Sequence, residues 1–150
     1  DDTLICLQAD VPREPNRVPW LLRRWLNEPL RNGTVELMRS LASQGHAIGI
    51  YTTSYRSKRL IKWLFRCYGL RLAFIINQHD HEQAFPGQRN KGASKMPHRF
   101  GIDLHVDDDE WLKQVSTKYR FHIIQVDPSD MEWCAKVEAA IASHLELQLK

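Results

Sequence analysis

Residues that could bind a phosphate group or a metal ion follow three apolar runs of the sequence. They are Gln8 and Asp10, then Thr52 and Thr53, then Asp107 and Asp108. Two lysines, Lys91 and Lys95, precede the last run. Carboxylates can attack phosphorus, transfer protons or bind Mg²⁺, while hydroxyl and ammonium groups donate hydrogen bonds to phosphate oxygens. The set therefore predicts phosphate chemistry.

Five apolar runs are predicted to be strands that position these residues. They span residues 3–10, 47–51, 72–76, 104–106 and 121–126. Helical spacing of apolar residues is found between them, at 18–30, 34–44, 57–68 and 109–118, and again from Met131 onward. Alternating strands and helices favour right-handed crossovers and a parallel sheet. We expect an α/β, three-layer Rossmann-like domain, with a five-stranded parallel sheet of order 3-2-1-4-5 and helices on both faces.

The order of the strands would bring the polar residues together. In an open parallel sheet, ligands bind outside the carboxyl ends of the strands, where the strand order reverses. With the first strand central, Gln8 and Asp10 would face Asp107 and Asp108 across that edge. The 150 residues are enough for one core without disulfides or a structural metal, so we expect a single domain over 1–150.

The charge is distributed unevenly along the chain. Residues 1–100 carry 16 Lys or Arg against 8 Asp or Glu, whereas residues 101–150 carry 5 against 10. The basic part suits an anionic ligand, and the acidic stretch at 107–110 suits a divalent cation.

The cysteines and the hydropathy pattern bear on location. Cys6, Cys67 and Cys134 lie singly in apolar surroundings, which is typical of small core residues in a reducing compartment. No apolar run approaches the length of about 20 residues that spans a bilayer. We expect a cytoplasmic protein that does not associate with membranes.

The order of these strand ends resembles the haloacid dehalogenase (HAD) superfamily over nearly the whole chain. A first strand ends in Asp-x-Asp in that family, a second in Thr or Ser, a lysine follows, and a later strand ends in paired aspartates. The resemblance implies that Thr52 and Lys95 hold the phosphate group, with Lys91 as the rival lysine and Thr53 beside Thr52. It also implies that Asp10 is the general acid and that Asp107 and Asp108 bind Mg²⁺.

The chain departs from the family pattern at two positions. Gln8 stands where the family has its nucleophilic aspartate, and Pro12 stands where it has a small hydroxyl residue. An amide is a far poorer nucleophile than a carboxylate and a weaker ligand for a hard cation. We therefore expect a phosphatase-like protein with weak Mg²⁺ binding that is catalytically weakened or silent. An active phosphohydrolase is the alternative.

The segment 77–101 shows no sustained periodicity and is predicted to be a loop. It is too short for an inserted domain, so the mobile cap of the family is expected to be absent. An open site of this kind would suit a phosphorylated small molecule or a macromolecule. The sequence His79-Asp80-His81-Glu82 within the loop has no distant partner pair, and we assign no zinc site to it.

The basic helix at 56–66 suggests a different function. Clustered Arg and Lys can bind the phosphates of a nucleic acid, so a nucleic-acid-associated module is a further alternative. Such a face is more often simply solvated. The five tryptophans fall within predicted helices, and we expect them to be core or interface anchors.

Overall fold

The computed structural model describes residues 3–5, 10–86 and 94–148. Within these ranges the strands form two short parallel sheets of two strands each. Strand β1 (Ile50–Tyr51) pairs with β2 (Ile75–Ile76), and β3 (Leu104–Asp107) pairs with β4 (His122–Gln125). The predicted five-stranded Rossmann-like sheet of order 3-2-1-4-5 is therefore wrong.

The start of the predicted central strand shows why. Ile5 forms an antiparallel bridge with Leu30, and the amide of Arg31 donates to the carbonyl oxygen of Leu4 at 2.7 Å. A second antiparallel bridge joins Arg13 to Arg31. An apolar run predicts that a segment is extended and buried, but it does not identify the partner, which here is the antiparallel segment at 30–31. Residues 6–9 lie outside the described residues.

The predicted helix at 18–30 is also wrong. Its only helical part is a short 3-10 helix at Trp20–Leu22. Pro29 limits any helix at the end of the segment, because proline lacks the amide hydrogen that a helix interior needs, while Pro19 precedes the 3-10 helix, where proline is tolerated. The apolar residues of the segment are nevertheless divided between the interior and the surface, since Val18 and Leu26 are buried while Trp20 and Trp25 are exposed.

The helices pack around the two sheets. They are α1 (Thr34–Ser43), α2 (Lys58–Cys67), α3 (Gln78–Ala84), α4 (Glu110–Tyr119) and α5 (Trp133–Gln148), with a second 3-10 helix at Pro97–Phe100. Helix α3 lies in the segment predicted to be a loop. Asn77 and Asp80 form a capping box at its start, each side chain accepting a hydrogen bond from the backbone amide of the other.

The apolar core connects the two sheets. One cluster contains residues of α2 and of the 18–30 segment, and a second joins α1 and α5. Leu4 and Ile48 pack against both clusters. A third cluster, around Leu112 and Phe121, lies beneath α4.

Strands β1 and β2 are shorter than the apolar runs that contain them, but hydrogen bonds continue beyond them. The amide of Ala73 donates to the carbonyl oxygen of Ile48 at 2.8 Å. Gly49 lies against the ring of Phe74, and a Cβ atom at position 49 would come within 2.3 Å of it. Only glycine fits this close approach.

Candidate functional site

A cavity of about 560 Å³ is lined by residues of both sheets. Most of its lining is apolar, including Ile48, Ile76 and Val106. Polar side chains follow or end the strands. The polar residues that line the cavity include Thr52, Arg56, Lys95, His105 and Asp107. We call the set of Thr52, Lys95, His105 and Asp107 the strand-end cluster.

Lys95 and Asp107 form the centre of the strand-end cluster. The Lys95 ammonium group donates a hydrogen bond to Oδ2 of Asp107. The Lys95 side chain is 7% exposed and that of Asp107 is 2% exposed. Removing two charges from water costs roughly several kcal/mol for each ion, and the attraction between the two charges must offset this cost. A buried pair of this kind is therefore a weak source of stability and a candidate for a role in binding.

The ionised form of Asp107 is maintained by its neighbours. Burial alone would raise the pKa of the Asp107 carboxyl group, but the hydrogen bond from His105 and the charge of Lys95 outweigh burial and hold the pKa well below its ordinary value. Nε2 of His105 lies 2.8 Å from Oδ2 of Asp107. Because a carboxylate only accepts, Nε2 carries the hydrogen of the neutral ring. Burial lowers the pKa of His105, although the hydrogen bond to Asp107 opposes this effect.

Tyr51 holds the backbone beside Lys95. Its hydroxyl oxygen accepts a hydrogen bond of 3.1 Å from the amide of Met96 and lies 2.5 Å from Nδ1 of His81. Burial raises the pKa of Tyr51 to about 12, so the hydroxyl group stays protonated at neutral pH. The tautomer of His81 sets the direction of its hydrogen bond with this hydroxyl group. The Tyr51 ring also contacts that of His105, with a centroid distance of 5.9 Å. The end of β1 thus contacts both the lysine segment and β3.

Hydroxyl groups line the loop between β1 and α2. The amide of Ser54 donates to Oγ1 of Thr52 at 3.1 Å, and the two side-chain oxygens are 3.0 Å apart. Arg56, which pairs with Glu28 at 2.6 Å, extends the polar lining of the cavity. The loop therefore places donor groups between the end of a strand and the start of a helix.

The three consecutive aspartates have three different roles. Asp107 belongs to the strand-end cluster. Oδ1 of Asp108 accepts a hydrogen bond of 2.5 Å from Oγ1 of Thr3. Asp109 caps α4 by accepting hydrogen bonds from the amides of Trp111 and Leu112. Identical side chains in one run thus belong to the strand-end cluster, form a link to the N-terminal segment and cap a helix.

The structure brings some of the predicted site residues together and separates others. Thr52, Lys95 and Asp107 are among the residues that line one cavity. Asp10 and Thr53 are exposed, and neither is among the described residues that line it. Gln8 and Lys91 lie outside the described residues. Lys95 contacts Asp107, one of the predicted metal-binding aspartates. For Lys91, the rival lysine, no contact is described.

The described residues do not form a ready magnesium site. Oδ2 of Asp107 accepts from Lys95 and His105, and Oδ1 accepts from the amide of Asp109 at 3.0 Å. Across residues 3–5, 10–86 and 94–148, no three His, Cys, Asp or Glu side chains lie close enough to hold a metal ion. Three of the roughly four lone-pair sites of the Asp107 carboxylate thus accept hydrogen bonds already, so Mg²⁺ would compete with these donors. Mg²⁺ binding stays a prediction.

Two residues of the site are not among the predicted site residues. His105 lies within the predicted strand at 104–106, and Tyr51 ends the predicted strand at 47–51. The signal for His105 was its spacing, because side chains two positions apart in a strand lie on the same face. His105 and Asp107 have that spacing in β3. Tyr51 has no comparable signal, because its contact with Met96 depends on tertiary packing.

The segment His79 to Glu82 consists of residues with individual structural contacts. Asp80 caps α3 and pairs with Lys58 at 2.5 Å. The ring of His79 packs against that of Tyr55, with a centroid distance of 4.8 Å. Glu82 accepts a hydrogen bond of 2.5 Å from the hydroxyl group of Tyr55. These contacts tie α3 to the loop that carries Thr52.

Within the described ranges, no helix is both long and apolar enough to cross a membrane. Comparison of the chain with protein-family models, with curated proteins and with solved structures finds no match.

Proposed function

We propose that the protein binds a phosphate group at the strand-end cluster and is a catalytically weakened or silent relative of HAD phosphohydrolases. The observation that supports this proposal best is the buried contact between Lys95 and Asp107 in a cavity that Thr52 also lines. These three residues are the ones onto which the resemblance places the phosphate-side lysine, a metal-binding aspartate and the phosphate-side hydroxyl group.

Lys95 supplies the charge that a phosphate group needs. Its burial leaves it poorly screened by solvent, which strengthens any charge-assisted hydrogen bond that it makes. Asp107 and His105 hold the ammonium group in place when no anion is bound. A phosphate oxygen would therefore compete with a carboxylate that is already there, so we expect modest affinity.

Thr52 and the loop to α2 supply neutral donors. The hydroxyl groups of Thr52 and Ser54 belong to the loop that follows β1, and Thr52 lines the cavity. Neutral donors bind a phosphate group without adding a charge that must be desolvated. The site is thus suited to the phosphate group rather than to one particular organic group attached to it.

Weak or absent hydrolysis follows from the residue at position 8. Gln8 offers an amide where the family has an attacking carboxylate. Asp10, which the resemblance assigns as the general acid, is exposed. Its part in turnover can be tested once a nucleophile is present, in Gln8→Asp with and without Asp10→Asn. The substrate class remains a phosphorylated small molecule or macromolecule.

Calorimetric titration with inorganic phosphate tests the proposal. A charge-assisted hydrogen bond contributes about 1.5–3 kcal/mol, so Lys95→Met should weaken binding by roughly 10- to 150-fold. Lys113→Met, which removes an exposed lysine of α4, is the matched control and should leave binding unchanged. Lys91→Met in the same titration decides between the rival lysines.

Two results would contradict the proposal. One is the absence of phosphate binding by the wild-type protein at high millimolar concentration. The other is equal binding by the Lys95→Met and Lys113→Met variants. Should Lys95→Met fail to fold, Thr52→Val replaces it, because that change removes a hydroxyl group but no charge. Unchanged phosphate affinity in a folded Thr52→Val variant would then count against the proposal.

A further inference from the structure

Helix α2 presents a basic stripe to solvent with a tryptophan within it. Arg59, Lys62, Trp63 and Arg66 are all exposed, and their spacing places them on one face of the helix. The opposite face carries Ile61, Leu64 and Phe65, which are buried in the core. Trp63 is 49% exposed, so a large aromatic ring lies among three cations instead of packing in the core.

A second exposed aromatic segment lies next to α2. In residues 17–25, Trp20 is 76% exposed and Trp25 is 62% exposed, and the cations between them, Arg23 and Arg24, are exposed too. The tryptophans at 20, 25 and 63 are thus not the core anchors that the sequence predicted. Each could still serve as an interface residue.

Shared packing places the two segments side by side. Val18 and Leu26 belong to the same core cluster as Ile61 and Leu64 of α2. Just beyond the two segments, Glu28 and Arg56 form an ion pair of 2.6 Å. The exposed side chains of 17–25 and of α2 therefore form a composite surface, which we call the aromatic-basic surface.

The charge of this surface is of one sign. The ranges 17–27 and 57–67 contain seven Arg or Lys residues and no Asp or Glu. Lys58 pairs with Asp80, but no carboxylate in the described part of the chain pairs with Arg59, Lys62 or Arg66. Such a surface attracts a polyanion.

We propose that the aromatic-basic surface binds single-stranded nucleic acid. Cations contact the phosphates, while bases stack on Trp20, Trp25 and Trp63, the combination that single-strand binding uses. A duplex hides its base faces and offers nothing for these rings to stack on. An anionic lipid surface is less suited, because membrane-surface helices separate their apolar face from their charged face. Here the apolar face of α2 packs in the core, and the exposed rings alternate with cations.

This proposal is independent of phosphate binding at the strand-end cluster. The surface uses none of the residues Thr52, Lys95, His105 or Asp107, so either proposal can fail while the other holds. It also does not depend on the resemblance to the HAD superfamily, because the observations are exposure, spacing and charge alone.

Fluorescence anisotropy with labelled oligonucleotides tests this proposal. The probes are a twenty-nucleotide oligo(dT), an oligo(U) of the same length, and a mixed-sequence duplex, at low salt. Trp63→Ala should weaken binding of the single strands by roughly 5- to 150-fold, the range for loss of one stacked base. Trp111→Ala is the matched control, because Trp111 is 48% exposed on α4, outside the surface. Comparison of oligo(dT) with oligo(U) distinguishes DNA from RNA as the source of the ligand.

Charge is tested by salt dependence. Arg59→Gln with Lys62→Gln should weaken binding and reduce the slope of log K against log salt by about 0.7 for each phosphate that no longer has a cationic partner. The paired control is Lys113→Gln with Lys118→Gln, two exposed lysines of α4. The proposal is overturned by the absence of single-strand binding at low salt, by equal effects of Trp63→Ala and Trp111→Ala, or by a preference for the duplex. Binding to phosphatidylserine vesicles without oligonucleotide binding would overturn it in favour of a lipid surface.

Discussion

Lys95 donates a hydrogen bond to Oδ2 of Asp107 across 12 positions of sequence, and the two side chains are 7% and 2% exposed. His105 donates to the same oxygen atom at 2.8 Å. One carboxylate thus organises a buried cation and a buried ring at the end of β3. This contact joins the irregular segment before Pro97 to the sheet and defines the candidate phosphate site.

Breaking this pair should destabilise the protein. Lys95→Met leaves the Asp107 carboxylate buried with less compensation, and loss of one partner of a buried pair costs about 3–5 kcal/mol. The double variant, Lys95→Met with Asp107→Asn, no longer buries an uncompensated charge. Its loss in the free energy of unfolding should be smaller than the sum of the two single losses. Urea denaturation of all four proteins measures this coupling, and strictly additive losses would contradict the contact.

Stability should fall at mildly acidic pH partly because of His81. Burial lowers the pKa of His81 below its ordinary value of 6.5, although the charge of Glu82 opposes this effect. The unfolded chain therefore takes up the proton first, so stability is present above pH 6.5 and declines as the pH falls toward the folded-state pKa. Protonation would also make Nδ1 of His81 a donor in its contact with the Tyr51 hydroxyl group.

His81→Gln should remove that part of the pH dependence. Burial also lowers the pKa values of His98 and His105, and these shifts have the same sign, so the wild-type curve alone does not isolate His81. The informative quantity is the difference in unfolding free energy between the wild type and His81→Gln at each pH. That difference should shrink as the pH falls from 7 to 5. A difference that stays constant over this range would refute the assignment.

Magnesium is expected to bind weakly. The ion must compete with the hydrogen-bond donors that Asp107 already has, and Mg²⁺ sheds its own waters reluctantly. Calorimetric titration should show heat only at millimolar concentration, and this heat should be lost in Asp107→Asn or Asp108→Asn. Micromolar affinity, no heat at millimolar concentration, or unchanged binding in both variants would each speak against this expectation.

Several features of the site could be predicted from sequence because strand ends are local signals. The change from apolar to polar residues at Tyr51-Thr52 and at Val106-Asp107 marked two ends that line the same cavity. The parallel pairing of β3 with β4 also agrees with the neighbours in the predicted order. Strand order beyond those pairs depends on long-range contacts, and the bridge between Ile5 and Leu30 has no sequence signal.

Burial of individual side chains was harder to predict. Arg31 is 2% exposed and donates to the carbonyl oxygens of Asp127 and Asp130 at 2.8 and 2.6 Å, whereas Trp20 is 76% exposed. Residue type alone suggests the reverse for each. The capping pair Asn77 and Asp80 is a sequence signal for the start of helix α3. The helix contains few apolar residues, however, so it lacks the periodic apolar pattern by which helices are predicted.

The substitution Gln8→Asp tests most directly whether the strand-end cluster is a HAD-type site silenced at position 8. It would restore an attacking carboxylate, and loss of a nucleophile commonly costs several orders of magnitude in turnover. Hydrolysis of an aryl phosphate in the presence of Mg²⁺ should be nearly absent in the wild type and rise well above it in Gln8→Asp. Adding Asp10→Asn should remove most of the gain. Ordinary enzyme rates in the wild type, or a folded Gln8→Asp variant that remains silent, would contradict this assignment.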